Sequence, residues 1–269
     1  MAMNIDEQRY KKYLKVLENY RPLDDDFMRE MFRDNIPLSE MVLRIITGKY
    51  DLKITSQETQ YDMKRLLGTR SVCLDVLATD SDGKLYNLEI QRADKGAPAK
   101  RARYHSSALD IEFLNAGDDY EKLPITYVIF ITENDVRGKG KALYHFEMLD
   151  KDSGDSLDDG THIIYVNAAY NKDGDNSDIA KLMHDFRCSN ADDMNFELMA
   201  ARARYFKETN EGVSYMCRLN EELIEDNARE IASSLIEMGV CTIEDIAKAT
   251  KLPVEEVQKL AEKIKQTAK

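Results

Sequence analysis

Hydrophobic and polar positions recur with two different periods along the chain, which predicts a protein of helices and strands. In the N-terminal part the period is helical. Residues 4–20 predict a short surface helix, and an acidic turn predicts the start of a second one at Phe27–Phe32. A third helix is expected to begin at Pro37 and to end at Gly48, because proline favours the first turn and glycine the terminus.

The period then changes to two, which indicates strands. Ser71–Ala78 and Leu85–Gln91 are separated by a polar turn and predict a hairpin. A helix is expected over residues 97–114. Ile125–Thr132 is a continuous apolar and β-branched run, typical of a central strand that is buried on both faces. Two further strands are predicted, at Leu143–Met148 and His162–Asn167. The fold class is therefore α/β, a mixed sheet covered by helices.

Helical periodicity returns from Ile179 to the end of the chain. A long helix ends near Gly239, and two short helices follow, the first with Thr242 and Asp245 as a capping pair. We expect three segments: an N-terminal helix (1–22), the α/β domain (23–218) and a helical, helix-turn-helix-like C-terminal tail (219–269).

Composition and charge narrow the function classes. The 269 residues include no apolar run long enough to span a bilayer and no signal-like N-terminus, so we expect a cytoplasmic protein without a membrane partner. The four cysteines are widely spaced, which predicts reduced thiols. A formal net charge of -12 argues against a protein that coats nucleic acid through its overall charge. The charge leaves open a protein that binds DNA through a local basic strip and an enzyme that holds a metal ion with carboxylates.

The hairpin holds the most informative pattern. Asp75 and Glu89 are equally distant in sequence from Asp82, so a three-residue loop with Gly83 at positive φ places them opposite each other. Gln91 shares their face by the period of two. Two such carboxylates repel unless a cation lies between them or one of them is protonated, and a hard ion such as Mg²⁺ prefers oxygen ligands. The alternative is a solvated sheet face that happens to carry both acids.

Several strings resemble the PD-(D/E)XK nuclease superfamily, most closely its transposase-associated branch, the recombination-promoting nucleases. The hairpin strings are Ser71–Ala78 and Tyr86–Gln91. The others are Lys122–Phe130, Asp159–Asn167 and Lys181–Phe186. The resemblance runs from about Asp24 to Glu222, and it implies a restriction-endonuclease-like mixed sheet flanked by helices, with a helical C-terminal extension.

The resemblance also implies site residues and a cofactor. Asp75 and Glu89 match the family's metal-binding acids, and Gln91 stands where most of the superfamily has lysine. Leu74 replaces the motif's proline. The implied chemistry is hydrolysis of DNA phosphodiester bonds with Mg²⁺, for which Mn²⁺ can substitute, and Gln91 would orient the attacking water. Glu40 is a candidate for the additional helical acid of some relatives; its alternative is a solvated surface residue.

A basic cluster follows the hairpin in an otherwise acidic chain. Arg101, Tyr104 and His105 share one helical face, which could present a phosphate contact and a stacking ring to DNA. The alternative is a surface helix whose basic residues balance nearby acids. The expected DNA-binding set comprises Arg92, Lys100, Arg101, Arg103 and Tyr104.

The other histidines lack a recognisable site pattern. His145 and His162 lie in predicted strands, and His184 with Cys188 and Cys217 has no zinc-site spacing. Three functions therefore remain open: a metal-dependent DNA endonuclease, a catalytically inactive nuclease fold that binds DNA or a protein, and a structural or regulatory protein whose tail mediates assembly. DNA is the expected partner, and a homodimer is left open beside a monomer.

Overall fold

The computed structural model describes residues 7–63, 73–91, 97–239 and 241–267. The chain divides into two compact units. One is Glu18–Arg204, and the other combines Met1–Leu17 with Tyr205–Lys269. The three-segment division expected from the sequence stays a prediction.

The described residues of the first unit contain one six-stranded sheet. In chain order its strands are β1 Ile54–Asp62, β2 Cys73–Asp80, β3 Leu85–Gln91, β4 Thr126–Thr132, β5 Leu143–Phe146 and β6 Thr161–Asn167. Their order across the sheet is β1-β2-β3-β4-β6-β5. The pairs β3–β4 and β4–β6 are parallel, and the other three pairs are antiparallel. The predicted mixed sheet is confirmed, with β4 buried at every position.

Strand β1 was not predicted from the sequence. It reads ITSQETQYD, and after its first residue no side chain is fully buried. A strand with so few apolar residues lacks the alternating pattern on which sequence prediction depends. It forms at the edge of the sheet because β2 offers it an antiparallel partner, from Ile54 opposite Asp80 to Asp62 opposite Cys73, with one register shift between Ile54 and Ser56.

Nine α-helices lie in the described part of the chain. They are α1 Glu7–Glu18, α2 Asp25–Phe32, α3 Ile36–Thr47, α4 Ala99–Phe113, α5 Asp178–Arg187, α6 Glu197–Glu208, α7 Asn210–Met238, α8 Ile243–Thr250 and α9 Val254–Thr267. The predicted ends of α3 are confirmed: Pro37 lies in its first turn, and Gly48 closes it at φ +71°. Asn35 adds an N-cap, since its side chain accepts a hydrogen bond from the Leu38 N–H.

Helices cover both faces of the sheet in the first unit. Helix α2 packs against β1, β2 and β3, whereas α4 packs against β4 and β6. The α4 side of the core contains Ala102 and Leu109 from the helix and Val128 and Phe130 from β4. Strand β3 is consequently covered on both sides, and all seven of its residues are buried.

The second unit is helical in its described residues. Helices α7, α8 and α9 pack against one another around Ala232, Ile246 and Val257. The predicted capping pair is confirmed, because the Thr242 hydroxyl accepts from the Asp245 N–H at 3.1 Å and bonds to its carboxylate at 2.8 Å. The sheet and the flanking and C-terminal helices agree with the predicted α/β class.

Candidate functional site

The β2–β3 hairpin has the predicted register. Val76 lies opposite Leu88, and Thr79 lies opposite Leu85. Gly83 has φ +78°, as a three-residue loop requires. The paired register ends at Val76 and Leu88, and Asp75 and Glu89 are the next residues on the two strands. Counting from the turn predicted this register, because hairpin register follows from loop length.

The alternative interpretation of this hairpin, a solvated sheet face that happens to carry both acids, is wrong. Glu89 is only 1% exposed and Gln91 7%, while the Asp75 side chain is 14% exposed. The reason is tertiary: β3 lies inside the sheet, and α4 covers the face that carries Glu89 and Gln91. Leu88 and Ile90, on the opposite face of β3, are buried as well.

The two acids are held by contacts from four elements. The Asp75 N–H lies 3.4 Å from Glu89 Oε1, and the Ile90 N–H donates to Asp75 Oδ2 at 3.2 Å. Arg29 of α2 lies 3.5 Å from Asp75 Oδ1, and Arg101 of α4 lies 3.2 Å from Glu89 Oε2. These separations exceed the 2.7–2.9 Å of strong charge-assisted hydrogen bonds, so the carboxylate oxygens are loosely held.

Burial and like charge disfavour ionisation of the pair. Desolvation and the neighbouring Glu89 raise the pKa of Asp75 to about 6, against the opposing effects of Arg29 and the Ile90 N–H; Asp25 raises it further. Relief would come from protonation of one acid or from a cation between the two. The donor set of two carboxylates, with the Gln91 amide beside them, is the hard oxygen type that Mg²⁺ prefers.

Gln91 brings a positive charge to the site indirectly. Its Oε1 accepts a hydrogen bond from Arg101 Nη1 at 2.5 Å, and its Nε2 donates to the Ile90 carbonyl at 2.9 Å. The Arg101 guanidinium also lies 5.8 Å from the Phe130 ring centre, and its Nε donates to His105 Nε2 at 3.4 Å. A guanidinium from α4 thus stands beside the position where the superfamily usually has lysine on the strand.

Sequence reasoning missed two residues of this site, Arg29 and His105. His105 was placed on the same helical face as Arg101 but given no role; it is buried, with Nδ1 3.6 Å from Glu89 Oε1. Arg29 lies in a helix whose other long side chains include the buried Phe27, Met28 and Met31. A charged residue among core residues was the signal that could have identified it.

Glu40 lies elsewhere. Its Oε1 accepts from the Ile54 N–H at 2.9 Å, and its Oε2 pairs with Arg44 at 2.7 Å, so it joins α3 to the start of β1. The side chain is 15% exposed, so the alternative of a solvated surface residue is wrong, and the role of an additional helical acid stays a prediction. An acid of another helix, Asp25 of α2, contributes to the raised pKa of Asp75.

The basic residues expected to bind DNA separate into two groups. Arg101 turns inward to Glu89 and Gln91, whereas Lys100, Arg103 and Tyr104 are exposed on α4. Tyr104 and His105 therefore do not share an exposed face. Arg92 lies outside the described residues.

Comparisons with known proteins identify the family. Neither the curated proteins nor the solved structures gave a match. Every helix in the described part of the chain is too short or too polar to cross a lipid bilayer. Residues 34–234 match the family described as PD-(D/E)XK nuclease family transposase, and this segment contains the Asp75–Glu89 hairpin. Since the match spans about three quarters of the 269 residues, the chain belongs to the PD-(D/E)XK nuclease family transposases.

Proposed function

We propose that this protein is a metal-dependent DNA endonuclease that hydrolyses phosphodiester bonds. Its family suggests a hydrolase that acts on nucleic acids, and PD-(D/E)XK nucleases generally use divalent metal ions. The observation that carries the proposal is the adjoining, buried pair of Asp75 and Glu89, in which burial and repulsion raise the pKa of Asp75 to about 6.

Asp75 and Glu89 are the residues that would hold Mg²⁺, with Mn²⁺ as a substitute. Their contacts with Arg29 and Arg101 are long, so the oxygens can exchange these partners for a cation at low cost. When bound, the ion would polarise the scissile phosphate and lower the pKa of an attacking water.

Arg101 supplies the positive charge that Gln91 lacks. Glutamine can hydrogen-bond but cannot carry the charge of the usual lysine. Here Gln91 and His105 act as positioning residues: they hold the guanidinium beside Glu89, where it can contact the charge that develops on the phosphate. Gln91 bonds to Arg101 and to the Ile90 carbonyl, so orienting water is not its first task.

DNA would approach along the exposed side of α4. Lys100 and Arg103 would contact backbone phosphates, and Tyr104 would stack on a sugar or base. Arg92 is proposed for the same surface because it follows Gln91 directly in the sequence. Such a local basic strip is compatible with a net charge of -12, since backbone contacts depend on nearby charge.

The second candidate is a catalytically inactive member that binds DNA or a protein. One observation favours it: each acid already has an arginine near it, Arg29 at Asp75 and Arg101 at Glu89. These contacts partly neutralise the pair without a metal ion.

Cleavage of supercoiled plasmid with Mg²⁺, Mn²⁺ or EDTA tests the proposal. Asp75→Asn and Glu89→Gln preserve side-chain size and remove a charge each, and both should abolish metal-dependent nicking. Asp82→Asn, in the exposed loop of the same hairpin, is the matched control and should cleave like the wild type. Undiminished cleavage by Glu89→Gln would refute the site assignment.

Absence of cleavage would separate the remaining candidates. Salt-dependent DNA binding without cleavage in either metal selects the inactive DNA-binding protein, whereas absence of both leaves the protein-binding or regulatory function.

Arginine variants separate chemistry from binding. Arg101→Ala should lower the cleavage rate about 10²- to 10³-fold. Arg103→Ala should mainly weaken binding and reduce the salt slope by about one phosphate contact.

A further inference from the structure

Three metal-binding side chains meet at the β5 edge of the sheet, away from the hairpin. In the β5–β6 pair His145 lies opposite Ile164, and Phe146 lies opposite Ile163. Glu147 follows β5 directly, and its carboxylate lies close to both His145 and His162. The end of β5 and the start of β6 thus gather two imidazoles and a carboxylate.

Their ligand atoms form a small triangle. His145 Nε2 lies 3.1 Å from His162 Nδ1 and 3.4 Å from Glu147 Oε1. The distance between His162 Nδ1 and Glu147 Oε1 is 3.0 Å. Tetrahedral zinc with bonds of about 2.0–2.1 Å separates neighbouring ligand atoms by about 3.3–3.4 Å. The triangle is therefore close to one face of a zinc coordination tetrahedron.

The triangle offers one carboxylate acceptor to two imidazole nitrogens. A neutral imidazole carries one proton, and a carboxylate only accepts. If His162 Nδ1 is protonated and His145 Nε2 is not, the latter directs a lone pair at Glu147. The reverse assignment directs the His162 lone pair at Glu147, and protonating both atoms directs two N–H groups at the same Glu147 oxygen. A cation can take the place of these protons, because both nitrogens and the carboxylate then direct a lone pair at it.

The surroundings favour a preformed site with room for solvent. The His162 ring stacks on Tyr127, with centroids 4.3 Å apart and planes at 11°, which fixes the imidazole orientation. Glu147 and His162 also line a cavity of about 200 Å³. Water can therefore lie beside two of the three ligands, as an open fourth coordination position requires.

We propose that His145, Glu147 and His162 bind a transition-metal ion, with Zn²⁺ as the expected occupant. Imidazole ligands favour such ions over Mg²⁺, whereas the oxygen donors of Asp75 and Glu89 favour the reverse. The site is independent of the proposed nuclease function. Its ion joins the edge strand β5 to β6 and so stabilises that edge of the sheet.

Titration of the full-length protein with Co²⁺, without a polyhistidine tag, tests the site. One equivalent should produce the visible absorption of tetrahedral Co²⁺, and Zn²⁺ should displace it. His145→Ala and Glu147→Gln should each weaken binding at least about tenfold, since even indirect partners of a metal cost that much. Both side chains are more than one-third exposed, so these variants should fold.

Two control variants make the result decisive. His184→Ala removes an exposed histidine outside the triangle, and Asp75→Asn alters the hairpin; both should keep the tetrahedral signal. Thermal unfolding should show that Zn²⁺ stabilises the wild type but not His145→Ala. Co²⁺ binding that is unchanged in His145→Ala and Glu147→Gln, or the absence of a tetrahedral spectrum, would overturn the proposal.

Discussion

Replacing Asp75 by asparagine should stabilise the fold at neutral pH while it removes a proposed metal ligand. The ionised carboxylate is disfavoured by burial and by Glu89, and its pKa is raised to about 6. Asparagine is nearly isosteric and carries no charge. Its amide oxygen can still accept the hydrogen bond that Asp75 Oδ2 receives from the Ile90 N–H. The substitution removes the ion pair with Arg29. In the wild type this pair only partly offsets the effects of burial and of Glu89 on the ionised carboxylate.

The magnitude follows from the linkage between pKa and stability. An ordinary aspartate has a pKa near 3.9, so the shift of about two units is worth at most about 3 kcal/mol. Between about pH 4 and pH 6 the folded protein binds more protons than the unfolded chain. The free energy of unfolding of the wild type therefore falls as pH rises through this window. Asp75→Asn should be about 1–3 kcal/mol more stable near pH 8, and the difference should vanish near pH 4.

Urea unfolding in EDTA at these two pH values measures the effect. Asp135→Asn is a control for which we expect a stability change of the opposite sign. Burial acts to raise the pKa of Asp135, but hydrogen bonds from Gly140 and Tyr144 outweigh it and lower this pKa. That variant should lose stability near pH 8. Lower stability of Asp75→Asn near pH 8, or a difference that does not depend on pH, would refute the reasoning. Added Mg²⁺ should stabilise the wild type and leave Asp75→Asn unchanged.

Two further substitutions test other parts of the structure. In the wild type the Arg101 guanidinium lies 2.5 Å from the amide oxygen of Gln91. Gln91→Lys places an ammonium beside this guanidinium, and we expect the repulsion between the two positive charges to lower plasmid cleavage. Adding Arg101→Gln should restore part of it; higher cleavage by the single variant would contradict the role given to Arg101. Gly212→Ala should destabilise the protein by about 1–3 kcal/mol in urea unfolding, because a Cβ there would overlap the Tyr205 carbonyl. A stability gain, as expected for alanine in an open helix, would show that α7 can shift.

Local signals predicted several elements well. The hairpin register needed only the turn residues and the distance of Asp75 and Glu89 from Asp82, because a tight loop fixes which residues face each other. The ends of α3 and the start of α8 followed from proline, glycine and threonine at the termini. Strand β4 was recognised because burial on both faces leaves a continuous apolar run.

Contacts between distant segments could not be predicted in this way. Strand β1 depends on pairing with β2 and has too few apolar residues to indicate a strand by itself. The sequence predicted that Arg101 contacts DNA. It did not show that the Arg101 guanidinium on α4 points toward Glu89 and Gln91. Arg29 reaches Asp75 across 46 positions of the chain.

The sequence by itself determined the fold class, the hairpin with its two opposed acids and the resemblance to the nuclease family, since these depend on periodicity, turn chemistry and ordered strings. Tertiary structure alone decided that Glu89 is buried, which arginines compensate the acids and that His145, Glu147 and His162 converge. The physical reason is that burial and charge pairing depend on which surfaces pack together. Side chains far apart in the chain become neighbours only after the sheet and its helices have assembled.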